Sequence, residues 1–230
     1  MSTATPDRRT TPPLVEGQRL DRPTFHARYE AMPPGTRAEL IEGVVSMPSP
    51  LGFDHSTPVI RILGWLDYFE EHTEGVQALE NATVFLSDRS EPQPDALLRV
   101  LPGSGGRTKD TGTYVDGAPE LVVEVSRSTK YVDLGPKLNM YERAGVLEYI
   151  VRTVEPDEVI WHVLENGRFE VVRPDPDGLY RSRTFPGLWL DPVALLAGNR
   201  AAVRRTIDLG FATAGYAAFV ARLAEARANS

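Results

Sequence analysis

The chain has 230 residues, 41% hydrophobic and 25% charged, with a formal net charge of −7 and no cysteine. That balance suits a soluble globular chain of one large domain, or one domain with appendages. It excludes disulfides, zinc–thiolate sites and cysteine nucleophiles, and it argues against a protein that coats nucleic acid nonspecifically, though not against a local basic groove. No apolar run approaches the roughly 18 residues of a membrane helix. The polar, proline-rich start lacks the apolar core of a secretion signal, so a cytoplasmic location is expected. Of 25 basic residues only Lys109, Lys130 and Lys137 are lysines, which limits any lysine chemistry to three candidates.

Residues 1–20 read as a flexible arm, 21–192 as the main domain and 193–230 as a C-terminal helical extension. Residues 22–32 suit a short helix stopped by Pro33-Pro34-Gly35. Residues 38–50 alternate as a strand or tight hairpin, with Glu42-Gly43 at the bend. A long amphipathic helix follows over 54–73, with Val59, Ile62, Leu63, Leu66 and Phe69 on one stripe. Short strands are expected near 76–80, 83–86 and 95–100. The glycine-rich stretch 102–118 carries no Gly-Lys-Ser/Thr pattern opening a helix, so it reads as a mobile surface loop and not a phosphate loop.

A strand over 120–126 comes next, then a helix from Asp133 to about Ala144, closed by Gly145. Residues 148–154 suit another strand. Residues 157–174 alternate on either side of Asn166-Gly167, the preferred two-residue hairpin turn. A further strand is expected over 178–185, and helices from Pro192 onward. The layout is mixed α/β around one central sheet.

One residue breaks the pattern. Leu121, Val122, Val123 and Val125 form an apolar run of the kind found in strands buried on both faces, and Glu124 lies inside it. A buried carboxylate shifts its pKa, pairs with a cation or binds a metal. Asp95, after Pro94, leads into another apolar strand. Two carboxylates on neighbouring strands can hold a hard divalent cation through oxygen. Such a cation acidifies a bound water and neutralises charge on a phosphate. Alone, Pro-Asp is a common turn and a strand glutamate a common ion-pair partner; together, in this order, they favour a site.

The stretches PQPDALLRV, PELVVEVSRST and YVDLGPKLNMYERAGVLEYIV, with the hairpin after them, resemble the Uma2 (DUF820) family of the PD-(D/E)xK, restriction-endonuclease-like superfamily. The likeness spans about residues 20–190. It implies a mixed α+β fold, a central mixed sheet flanked by helices, with Mg²⁺ or Mn²⁺ and hydrolysis of nucleic acid, DNA foremost. On that match Asp95, Glu124 and the Val125 carbonyl are metal ligands, and Glu42 is the additional acid from the N-terminal part. The superfamily places lysine two residues after the strand glutamate, where this chain has Ser126. The resemblance then gives the role to Lys137, one turn from both Asp133 and Tyr141, with Lys130 as the alternative. Lys137 also fits an exposed helix pair with Asp133, of a few tenths of a kcal/mol. As a transition-state residue, its removal should spare the fold.

His55 is an accessory candidate at the entry of the long helix, where it also fits a residue without chemistry. His26, His72 and His162 lack metal-ligand spacing, and Ser126 and Ser128 lack a hydrolase elbow. Trp65 and Trp161 sit at core spacings. The competing functions are a nucleic-acid-binding or assembly module that kept the fold without activity, and, more remotely, a glycosidase, which needs paired acids about 5–9.5 Å apart. Phe211, Tyr216, Phe219, Val220 and Leu223 offer an apolar surface for a homodimer.

Overall fold

The computed structural model describes residues 11–47, 53–127 and 129–230. Its first half contains α1 (Arg22–Ala31), β1 (Glu39–Ile41), β2 (Val44–Ser46), α2 (Phe53–His72), β3 (Val76–Glu80), β4 (Val84–Phe85), β5 (Ala96–Val100), β6 (Lys109–Asp110) and β7 (Val115–Asp116). Then come β8 (Leu121–Ser126), α3 (Lys130–Val132), a π-helical turn (Asp133–Lys137), α4 (Leu138–Ala144), β9 (Glu148–Thr153), β10 (Glu158–Glu165) and β11 (Arg168–Val172). The chain closes with β12 (Tyr180–Arg181), β13 (Trp189–Leu190), α5 (Pro192–Leu196), α6 (Arg200–Phe211) and α7 (Ala214–Ala228).

Six strands form the central sheet in the order β11-β10-β9-β8-β5-β3. β8 and β9 are parallel, and the other neighbours are antiparallel. This is the mixed sheet with flanking helices that the sequence leads one to expect. Side chains alternate across the pleat, so β8 feeds two cores. Leu121, Val123 and Val125 pack with Ile62, Leu66 and Phe69 of α2. Val122 faces the other way, with Met140 and Tyr141 of α4. Trp65 and Trp161 meet edge to face inside the first core, ring centroids 5.9 Å apart, as their spacing suggests.

Two tight turns carry the sequence's own signals. Glu42 and Gly43 both have positive φ, 50° and 84°, the backbone of a two-residue hairpin turn. Asn166 (49°) and Gly167 (79°) repeat it between β10 and β11. Four expectations change. Within the arm expected over 1–20, Leu20 donates to Gly43 O at 2.9 Å, Val45 donates to Gln18 O at 2.8 Å, and Leu14 packs with Phe25, Leu40 and Val45; residues 1–10 lie outside the described residues. The loop 102–118 is anchored, because β7 pairs with both β4 and β6. The strand expected over 178–185 shrinks to β12, which among the described residues pairs only with β13.

The fourth change concerns the C-terminus. Phe219 and Leu223 are only 2% exposed, and Phe211 and Tyr216 pack against the same core as α2. The apolar face offered for a homodimer is therefore used within the chain. No single helix among the described residues is long and apolar enough to cross a membrane; α6 and α7 qualify only as a pair bent by 75°.

Because α7 belongs to this core, Leu223→Ala should cost about 2–5 kcal/mol, as for other buried leucines. Urea unfolding followed by circular dichroism measures it. A cost within about 0.5 kcal/mol, typical of surface changes, would mean that α7 is an appendage after all.

Candidate active site

Antiparallel pairing of Ala96 with Val123 places Asp95, just before β5, across from Glu124 on β8. Both then point to the face covered by α4. Asp95 is fixed there because its Oδ2 accepts the Val125 N–H at 2.7 Å. Proline at 94 favours the extended entry that brings Asp95 into position.

A third carboxylate comes from β1. Leu40 and Glu91 exchange backbone hydrogen bonds of 3.1 and 2.8 Å, which lays β1 along the segment leading to Asp95. Glu39 Oε1 accepts the Gln93 N–H at 2.7 Å. Its other oxygen, Oε2, is 2.9 Å from Lys137 Nζ.

Lys137 arrives on the π-helical turn. Pro136 in that turn has no N–H and its ring crowds the carbonyl four residues back, which suits a locally widened helix; such turns are frequent at functional sites. Lys137 Nζ donates to Glu124 Oε1 at 2.8 Å, and the same oxygen accepts the Tyr141 hydroxyl at 2.9 Å. Asp133 starts the turn, and its Oδ2 accepts the Thr129 hydroxyl at 2.7 Å. Glu39, Asp95, Glu124, Asp133 and Lys137 are all between 3 and 8% exposed.

Two buried carboxylates, Glu39 and Glu124, thus contact one ammonium, with Asp133 close enough to act on its charge and Asp95 acting on Glu124. Burial pushes Glu124 well above the usual carboxylate range, against the pull of Lys137 and with the push of Asp95 and Glu39. Burial likewise raises Asp133, opposed by Lys137 and Thr129. Burial disfavours the charge on Lys137, but Glu124 and Glu39 more than offset it and hold it above the ordinary lysine range. Lys137 raised and Glu124 raised pull in opposite directions if the two are taken as an isolated pair. The cluster reconciles them: Lys137 has Glu39 and Asp133 as well as Glu124 to hold its charge, while burial and the neighbouring acids both oppose the charge on Glu124.

Other buried acids are held differently. Glu148 accepts from Trp161 Nε1, Ser182 Oγ and the backbone N–H of Arg183 and Thr184. Glu120 accepts from the N–H of Val100 and Arg107. Those two brace the fold; Glu39 and Glu124 share a cation instead.

The sequence candidates therefore separate. Asp95, Glu124, Lys137, Asp133 and Tyr141 are brought together, with the Val125 backbone beside them. Glu42 is not. It sits on the hairpin turn with its side chain 36% exposed and ion-paired with Arg143. Lys130 also lies apart, paired with Glu158 at 2.9 Å. Ser126 Oγ is buried without a hydrogen bond of ordinary geometry, though it lies close enough to Asp133 to lower that group's proton affinity. The His55 side chain lies outside the described residues, as does Ser128. His26 meets Glu91 at 2.8 Å, away from this cluster.

Sequence reasoning passes over Glu39 in favour of Glu42. The signal was present: Glu42-Gly43 reads as the turn, and a turn residue faces outward, whereas Glu39 belongs to the strand that enters the core.

Among the described residues, no group of three His, Cys, Asp or Glu side chains closes tightly enough to cage a metal ion. The donor chemistry nevertheless fits a hard divalent cation. Glu39, Asp95 and Glu124 supply only oxygen, and their excess charge is buried. Lys137 Nζ stands between Glu39 and Glu124 as a stand-in cation.

A family model described as "Putative restriction endonuclease", Uma2, matches residues 23–194. The fold is similar to the crystal structure of "a putative nuclease belonging to DUF820" from Anabaena variabilis ATCC 29413. The TM-score is 0.52 at 14% identity, covering 78% of this chain and 97% of that one. No curated protein matches the chain.

The pairing corrects the expectation that Lys137 is dispensable for folding. Lys137→Met should destabilise the chain by about 3–5 kcal/mol near neutral pH, the range for breaking a buried pair on one side. Without Lys137, the folded state holds protons on Glu124 and Asp133 that the unfolded chain releases above the usual carboxylate pKa. Stability must then fall as pH rises. Urea unfolding at ~pH 5 and ~pH 8 checks this: the deficit against wild type should be larger at the higher pH. An equal deficit at both would show that the acids carry no charge penalty.

Proposed function

Since the chain belongs to the Uma2 family, we propose that it is a metal-dependent endonuclease whose active site is the carboxylate cluster around Lys137. The observation that carries this reading is the gathering of buried acids at one lysine: Glu39 and Glu124 in contact with a single ammonium, Asp133 close enough to act on it, and Asp95 beside Glu124. A cluster serving stability alone would be expected to balance its charges, because uncompensated buried charge is costly.

Asp95, Glu124 and Glu39 would hold Mg²⁺ or Mn²⁺, with the Val125 carbonyl as a further oxygen. When bound, such an ion acidifies water and neutralises charge on a phosphate. The chain's own groups do the rest. Tyr141 fixes the Glu124 carboxylate through its hydroxyl. Lys137 has three N–H donors; two meet Glu39 and Glu124, leaving one for a phosphate oxygen. Asp133, its proton affinity raised by burial, is suited to take the proton of the attacking water. As water oxygen bonds to phosphorus, that proton passes to Asp133. The P–O bond to the leaving group then breaks, and the departing oxygen is protonated by solvent.

DNA is the substrate proposed first. The homodimer expected from the C-terminal helices loses its surface, so the proposal is for a site complete within one chain. A second reading, a binding module without activity, draws on the close engagement of Lys137 by two carboxylates.

Cleavage of supercoiled DNA, single-stranded DNA and RNA with Mg²⁺ or Mn²⁺ tests the proposal. Glu124→Gln and Glu39→Gln should each lower the rate by about a hundredfold or more, the scale for losing a positioned transition-state charge. Glu42→Gln should leave it nearly unchanged. Calorimetric titration should show metal binding weakened by Asp95→Asn and Glu124→Gln. Equal binding by wild type and both variants would remove the metal assignment. Metal binding without cleavage of any substrate would favour the binding module.

A further inference from the structure

On the face of the sheet away from the Lys137 cluster, α2 and α6 pack against each other and leave a cavity of about 210 Å³ between them. Trp65 of α2, Leu195 of α5 and Val203 of α6 give it a buried apolar wall. Ile60 stands at its rim, 51% exposed. What keeps the cavity open is Gly64. It lies in the middle of the 20-residue α2, where glycine weakens a helix relative to alanine. Nothing around it requires glycine: its φ is not in the left-handed region, and a Cβ there would meet no atom within 4 Å. A side chain at that position would grow into the cavity instead.

Arg200 and Arg204, one turn apart on α6, border the same cavity. Both are exposed, and neither is ion-paired among the described residues. Arg204 lies over the Tyr68 ring, 5.0 Å from its centroid, a contact that leaves its charge without a counter-charge. Asp67 of α2 is the one acid in the lining. Even set against one of the two guanidinium groups, it leaves the other uncompensated. Arg61 also borders the cavity but is engaged by Leu196 O at 2.7 Å and is not counted. A guanidinium fork matches the two oxygens of a carboxylate, and the apolar wall favours carbon beside it. The volume is below the roughly 300–1,000 Å³ of pockets for drug-sized ligands, which points to a small molecule and not to a nucleotide.

We propose that the cavity between α2 and α6 is a binding site for a small organic acid, a single carboxylate on an aromatic or branched aliphatic body. Arg200 and Arg204 hold the carboxylate, and the body rests on Trp65, Leu195 and Val203 in the space left by Gly64. The site is separate from the acids around Lys137 and does not depend on the chemistry there.

Sodium benzoate is the probe, titrated at fixed ionic strength into the ¹⁵N-labelled full chain. NMR follows the amides of Gly64 and Gly198, which border the cavity. Saturable shifts are expected, with a Kd of about 1 mM or tighter, a range open to a ligand of this size. Benzyl alcohol keeps the body without the charge, and inorganic phosphate carries charge without the body. Each should bind at least about tenfold more weakly, since each loses either the charge-assisted contact or the apolar one. Arg204→Gln and Arg200→Gln should each weaken benzoate about tenfold for the same reason. Gly64→Leu, followed at Gly198, should abolish saturable binding without lowering the thermal midpoint, because its side chain occupies the cavity. Circular dichroism melts verify folding, and the two exposed arginines remain decisive should Gly64→Leu disturb α2. Shifts that rise with benzoate and never saturate would overturn the proposal. So would benzoate binding unchanged in a folded Gly64→Leu or in both arginine variants, and so would equal affinity for benzyl alcohol or phosphate.

Discussion

The ammonium of Lys137, held between Glu39 and Glu124 at 2.9 and 2.8 Å, is the contact on which the arrangement of this molecule turns. Three segments meet at it: the first hairpin, the central strand of the sheet and the helix that covers it. None of the three carboxyl-bearing elements could carry its acid into the interior alone, because an isolated buried charge is far costlier than a paired one. The lysine makes their convergence tolerable, and their surplus of acid keeps the lysine charged. The result is a preorganised polar pocket inside an otherwise apolar layer.

Burial by itself did not mark these residues. Glu148 and Glu120 are as deeply buried as Glu124, but amides, an indole and a hydroxyl already stabilise them. What separates a bracing acid from a chemical one here is the kind of partner. Glu148 and Glu120 accept hydrogen bonds from neutral donors, whereas Glu39 and Glu124 also share the ammonium of Lys137, which can itself be redirected. Tyr141 acts in between, orienting one Glu124 oxygen without neutralising it.

Much of this was legible in the sequence. The apolar run interrupted at Glu124, Pro94 before Asp95, the Asn166-Gly167 turn and the stripe on α2 each act locally, so their readings carry over to the structure. The misreadings concern properties that belong to several segments at once. The helix assigned from Asp133 begins at Lys130 and widens around Pro136, which a simple 3.6-residue period does not reveal. Glu42 stands out in the sequence and Glu39 does not, because composition does not say which of two glutamates faces inward; the hairpin turn decides it. The stretch 102–118 looked loose because β6 and β7 draw their order from β4, far away in sequence. The C-terminal helices looked available for a partner because their apolar residues count the same whether α2 or another molecule covers them.

The junction of hairpin and helix has a kinetic consequence. Glu39 and Lys137 lie about a hundred residues apart in the chain, and contacts of such separation incur a large loop-closure cost before they return any stabilisation. The strand pairs β10–β11 and β3–β5, with far shorter connections, can form without them. The ion cluster therefore belongs to a late stage of folding, after the transition state has buried most of the apolar surface. Substitutions in it should accelerate unfolding far more than they slow folding. The ion cluster would then govern how long the native state persists, while the sheet governs how quickly it is reached.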